Sequence, residues 1–180
     1  MYFEKAGRAN TDDVVKLALT TAQERGIRHI VVASNTGETA MPFAGHGVEV
    51  VCVTHVNGFH ENGQNEMPAD MREKLSELGV QVLTTSHILS GAERGISSRF
   101  GGAYPVEIIA HTLRMFGAGV KVALEVSVMA LDAGLIPYGE RIIAIAGTKR
   151  GADTAVIITP AHAADILSTR VHEVICKPGS

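Results

Sequence analysis

Val31-Val32-Ala33-Ser34-Asn35-Thr36-Gly37-Glu38-Thr39-Ala40 is the stretch on which the fold reading turns. A β-branched run that begins at His29 gives way without spacing to small hydroxyl and amide residues and a glycine. Residues 36–44 are expected to form a helix closed by Gly45 and Gly47. A buried strand feeding a helix in this way leaves unpaired backbone N–H groups and the positive end of a helix dipole at the strand's carboxyl edge. Ser34, Asn35, Thr36, Gly37 and Thr39 are therefore candidates for holding a phosphate: hydroxyls donate, and glycine admits a close anion. Ser, Asn and Thr are also preferred helix caps, so the same residues equally describe an ordinary capped helix.

Working outward, Asn10 and Thr11 with Asp12 and Asp13 mark a helix start, Val14, Leu17, Ala18 and Ala22 its apolar stripe, and Gly26 its end. Residues 48–54 read as the next strand, 57–65 as a polar loop, and Met71, Leu75 and Leu78 as a second helix before a strand at 80–84. Residues 86–103, with Gly91, Gly95, Gly101, Gly102, Arg94 and Arg99, read as a long loop able to act as a lid. Pro105 opens a helix with Val106, Ile109, Ala110, Leu113 and Phe116 on one face, and residues 120–133 form another. Strands are expected at 141–146, 154–159 and 171–176. This alternation predicts an α/β fold: a three-layer, mostly parallel sheet with helices on both faces. The last two gaps are too short for helical crossovers, which predicts antiparallel edge strand(s). No domain boundary is visible, so residues 1–180 are expected to form a single domain.

Composition narrows the function classes. A chain of 180 residues and 19.0 kDa is shorter than the roughly 250 residues of a (β/α)8 barrel. Its formal charge of −3 and 4% aromatic content disfavour a nucleic-acid partner or an anionic membrane surface. Cys52 and Cys176 lie in apolar strand-like runs, as reduced, buried thiols do. The longest apolar run, 120–131, is broken by Lys121, Glu125 and Ser127, and no basic-then-apolar leader pattern opens the chain. A cytoplasmic protein is expected.

A second strand-to-loop junction, Ile143-Ala144-Ile145-Ala146-Gly147-Thr148-Lys149-Arg150-Gly151-Ala152-Asp153-Thr154, carries two cations between glycines. It matches neither the nucleoside-triphosphatase loop nor the dinucleotide fingerprint. By itself it also suits a basic surface hairpin. If the strands at 29–33 and 141–146 are neighbours, both loops flank the crevice where strand order reverses, and ligands of open α/β sheets bind there. Gly147, Thr148 and Arg150 then face the first loop across one phosphate.

On the apolar helix, Lys121, Glu125 and Asp132 fall within about 40° of one another. The stripe either reaches solvent through a slit or lines a pocket, and the rarity of buried charge favours the slit. Lys121 and Glu125 also make a plain i, i+4 ion pair. His55, His60 and His87 follow strand ends and can approach one another, but no zinc spacing is present and no metal is assigned. No Gly-x-Ser-x-Gly elbow or activated cysteine appears.

The loop Ser34 to Ala40, the run Asp132-Ala133-Gly134-Leu135-Ile136-Pro137-Tyr138-Gly139-Glu140-Arg141 and the loop Gly147 to Thr154 resemble the pyruvate kinase C-terminal (α/β) domain. The order of Gly-Val-Lys-Val, Asp-Ala-Gly-Leu-Ile-Pro and the Gly147 loop is more similar still to the stand-alone proteins of archaea and bacteria that share this domain. The resemblance spans roughly residues 12–176. It implies a five-stranded, mostly parallel sheet with edge additions. It carries no catalytic barrel, so pyruvate kinase activity is not implied. The stand-alone relatives are associated with flavin mononucleotide (FMN), which implies a phosphate held by Ser34, Asn35, Thr36, Gly37 and Thr39 with Gly147, Thr148 and Arg150 opposite. Glu38 stands where sugar-phosphate-binding relatives carry a polar or basic residue, which argues against a doubly phosphorylated effector.

The expected function is thus binding of a phosphate ester, FMN foremost. The alternatives are a non-catalytic sensor of a phosphorylated metabolite acting through homo-oligomer packing, and a hydrolase or lyase using Lys121 and Glu125 as acid–base groups.

Overall fold

The computed structural model describes residues 1–179. The β-branched run forms β2 (His29–Ala33), and it pairs in parallel on both sides, with β3 (Glu49–Val53) and with β5 (Ile142–Ala146). Strand period two sends Ile30 and Val32 to one face and Val31 to the other. Both sets are fully buried, which requires cover on both sides. One face meets α1 (Thr11–Arg25) through Val14, Ala18 and Ala22, and α2 (Ala69–Glu77) through Leu75. The other meets α5 (Ala118–Asp132), with α4 (Pro105–Arg114) packed outside it.

The sheet has seven strands in the order β1-β7-β6-β5-β2-β3-β4, completed by β1 (Tyr2–Phe3), β4 (Gln81–Leu83), β6 (Thr154–Thr159) and β7 (Arg170–Pro178). Pairing is parallel from β5 through β2 and β3 to β4, and antiparallel only at β5–β6 and β6–β7. The β6–β7 connection holds one short 3-10 segment, Ala163–Ser168, too little for a parallel crossover. Tyr2–Phe3 adds a two-residue parallel edge beside β7, which no periodicity in so short a segment foretells. No helix among the described residues is long and apolar enough to cross a membrane.

Two expected elements differ. Residues 36–44 are turns with one 3-10 turn at Met41–Phe43 and no α-helix. Gly37 sits at φ +87°, which interrupts a right-handed helix at its first turn. Residues 86–103 are not a loop throughout: Gly91–Phe100 forms α3 on the outside of α4 and buries none of its own residues. Its glycines masked a modest amphipathic period.

Helix α5 is apolar nearly all round because it lies flat on the middle of the sheet, against β2, β5 and β6. Close approach needs Gly119: a Cβ there would fall 2.1 Å from Thr154 Oγ1.

Both thiols are buried within this core. Loss of hydration pushes Cys52 up to about 12 and Cys176 up to about 11. At pH 8 the Cys52 thiolate is then present in roughly one molecule in 10⁴. Ellman's reagent is expected to titrate no thiol in the native protein and two in guanidinium. Prompt labelling of the native protein would contradict the burial of these thiols.

Candidate functional site: a basic cleft at the strand-order reversal

The chain leaves β2 toward β3 and β4 on one side, while β5 returns on the other, so strand order reverses between β2 and β5. At their carboxyl ends lies a cleft of about 840 Å³. The two loops singled out in the sequence line it together: Ser34, Asn35, Thr36, Glu38 and Thr39 after β2, and Gly147, Lys149, Arg150 and Gly151 after β5.

The first loop owes its shape to local bonds, since no helix follows it. Ser34 donates its N–H to the Val53 carbonyl at 2.9 Å and accepts the Thr39 N–H on Oγ at 3.2 Å. The Ser34 hydroxyl is therefore engaged in holding the loop. Gly37 presses onto α2, where a Cβ would lie 2.6 Å from Met71 Cγ, so its face is turned from the cleft. The backbone N–H groups of Asn35, Thr36, Gly37 and Glu38 meet no acceptor among the described residues.

The second loop is stitched to the N-terminal segment. Asp153 is fully buried, and its Oδ2 accepts the N–H of Thr148 at 3.0 Å and of Gly7 at 2.9 Å. Thr154 donates its hydroxyl to Asp153 Oδ1 at 2.8 Å. Thr11 Oγ1 accepts the Ala152 N–H at 3.0 Å and donates to the Arg8 carbonyl at 2.8 Å. Thr148 is thereby held behind the cleft wall and does not line it. Lys149 adopts φ +68°, a conformation uncommon without glycine and frequent where strain serves a site. The N–H groups of Lys149, Arg150 and Gly151 are without an acceptor among the described residues. Turns containing a left-handed residue are the setting in which successive amides form an anion-binding concavity.

Charge follows the same sense. Arg8, Arg94, Arg114, Lys121, Lys149 and Arg150 line the cleft against Asp12, Glu38, Glu66 and Glu125, six cations to four carboxylates on a chain of net charge −3. Glu38 is partly neutralised by Arg8 at 3.3 Å. Its exposed apolar surface comes from Val122 and Phe59, with the buried Val53, Val126 and Met129 behind them.

Of the charged stripe of α5, Lys121 and Glu125 line a pocket and do not reach solvent through a slit, while Asp132 is exposed. Lys121 and Glu125 are 4% and 5% exposed and form an ion pair in the cleft wall. Glu125 Oε1 also accepts the Leu89 N–H at 2.9 Å. Burial lowers the Lys121 pKa, opposed by Glu125 and reinforced by Arg114 and Arg94. Asp132, further along, instead accepts from the Ala163 N–H and bonds His162 at 2.7 Å outside the cleft. The site could hold a charge because carboxylate, ammonium and amide satisfy one another.

Arg8, Thr11 and Asp12 were not singled out by the sequence as parts of the site, nor was Arg114. They arrive through tertiary packing of the N-terminal segment and α4, and nothing in their local sequence separates them from surface residues.

The family model described as "Pyruvate kinase, alpha/beta domain" matches residues 12–158. Among solved structures, Cryptosporidium parvum pyruvate kinase in complex with ADP is similar over 96% of this chain at 14% identity and a TM-score of 0.42. The chain spans about a quarter of that protein, 24% of its length. On the extent of the family match, the protein belongs to the pyruvate kinase alpha/beta domain family.

Proposed function

We propose that the cleft binds a phosphate ester and that FMN is its ligand. The observation that carries the reading is the convergence of two strand-end loops, each with consecutive unpaired N–H groups, on one net-positive cleft. Amides and cations around a concavity favour a dianion. The residues fit the group: the N–H groups of Asn35, Thr36 and Glu38 and of residues 149–151 with Arg150 would hold the phosphate, and Val122 and Phe59 offer apolar surface to a ring. The cleft volume lies within the usual range for small-ligand sites, about 300–1,000 Å³. A bound flavin would supply redox chemistry, while the protein supplies binding and electrostatics.

The test is thermal unfolding with and without FMN, with riboflavin as the phosphate-free control. FMN at 100 times its Kd should add about 2.7 kcal/mol to native stability, and riboflavin should add much less. Equal responses to both would refute the phosphate site, and no response to either would refute FMN as its ligand. A response to other phosphorylated metabolites without one to FMN would turn the reading into a sensor.

A second reading rests on Lys121 with Glu125: a buried ammonium of lowered pKa beside a carboxylate in a cleft wall is suited to proton transfer. Lys121→Arg should then abolish turnover of the substrate in a hydrolase or lyase screen while keeping the charge pair. An unchanged rate would end this reading.

A further inference from the structure

We propose that His55, His60 and Glu66 form a binding site for a divalent transition-metal ion, with zinc the best match to the donor set. The proposal stands apart from the FMN reading. All three residues belong to the segment between β3 and α2, where a polar loop folds back on itself. Gly58 donates to the Gln64 carbonyl at 2.8 Å, Gln64 to Glu61 at 3.1 Å, and Phe59 to Val56 at 3.3 Å. This closure brings residues five and eleven positions apart together, which linear spacing did not reveal.

One potential ligand atom from each residue lies within 4.8 Å of the others. Glu66 sits between the rings, its Oε2 2.5 Å from His55 Nδ1 and its Oε1 3.3 Å from His60 Nε2. A tetrahedral centre with bonds of about 2.0–2.1 Å places its ligand atoms about 3.4 Å apart, so small side-chain rotations complete the set. His60 has the room, with 69% of its side chain exposed, while His55 and Glu66 are mostly covered. Phe59 stacks on the His55 ring at 3.7 Å and meets His60 edge-on at 5.0 Å, restricting both imidazoles.

His87 is close, 5.4 Å from His55 between ring centres, but it is not a fourth ligand. Its Nε2 accepts the Val56 N–H at 3.3 Å, so the lone pair facing this loop is occupied. Three protein ligands of the His/His/carboxylate type, with a position left over, are the pattern of zinc sites that act on a substrate; structural zinc sites use four. The absence of thiolates disfavours Cu(I), and two imidazoles disfavour Ca²⁺ and Mg²⁺, which take oxygen. His55 and Glu66 also line the cleft, so a cation here would strengthen its positive field.

The test titrates ZnCl2 by calorimetry, and CoCl2 by visible absorption, into the full chain after chelator treatment. One equivalent should bind with a Kd below about 10 µM, and Co²⁺ should develop the intense bands of a four-coordinate site. His60→Ala and Glu66→Gln should each weaken binding at least tenfold, with unchanged circular dichroism. His46→Ala, an exposed histidine elsewhere, should not. Binding weaker than that limit, or the same in all three variants, would overturn the site. The FMN thermal shift, measured separately without metal, tells failure here apart from failure of the phosphate reading.

Discussion

Lys121→Met is expected to lower the unfolding free energy by about 3–5 kcal/mol, the usual cost of stranding one member of a buried ion pair. The variant leaves the Glu125 carboxylate inside the wall between α5 and the sheet, with the Leu89 N–H as its remaining bond. Methionine replaces the volume of the lysine stem, so the loss reports charge and not a cavity. For a chain of this length the melting temperature should fall on the order of 10 °C. Pairing the change with Glu125→Gln should recover most of it. Glutamine keeps an oxygen for the Leu89 N–H, and replacing both members of a buried pair is often neutral or stabilising. A single variant that melts within 1–2 °C of the native protein would mean that water in the cleft already solvates the carboxylate, and the pair would then be a surface one in effect.

This pair also marks where sequence reasoning reached its limit. The i, i+4 spacing and the apolar surroundings announced that Lys121 and Glu125 were unusual. Whether they met solvent or a cleft depended on where α5 lay, and that is set by Gly119 against Thr154, a contact 35 residues apart in the chain. The central strands were readable because β2 and β5 are buried on both faces and so appear as nearly continuous apolar runs rich in Ile and Val. Their adjacency was only a condition in the sequence, on which doubly wound sheets would bring the two loops together, and the pairing of β2 with β5 meets it. The expected helix after β2 was a misreading of the same residues: caps and bare anion-binding turns share Ser, Thr, Asn and Gly, and only Gly37 at positive φ separates them. Helix α3 failed for the opposite reason, since four glycines in residues 91–102 argued for a loop while outward packing on α4 ordered it. For the histidine and glutamate cluster the sequence offered only that His55 and His60 can approach each other; Glu66 joins them through hydrogen bonds inside a loop with no period, which spacing does not show.

Thr36→Asp should weaken FMN binding about 100- to 1,000-fold without destabilising the protein. Thr36 is exposed at the lip of the cleft, so the backbone has no packing reason to move. Two like charges 4 Å apart at an effective dielectric of 20 repel by about 4 kcal/mol, roughly a thousandfold in Kd, and salt reduces this at an exposed position. A second effect has the same sign. The new carboxylate can itself take the unpaired N–H groups of residues 35–38, occupying the place that a phosphate would need. Native stability should therefore hold or rise slightly, as it does when an orphan donor gains a partner. Riboflavin, lacking the phosphate, should bind the variant and the native protein within about twofold, because the apolar surface of Val122 and Phe59 is untouched. Thr36→Ser should keep the FMN affinity, since the backbone donors carry the contact and the hydroxyl remains. Equal losses for FMN and riboflavin would mean that the substitution had deformed the loop. No loss for FMN would move the phosphate away from this turn, toward Arg150 and the amides of residues 149–151.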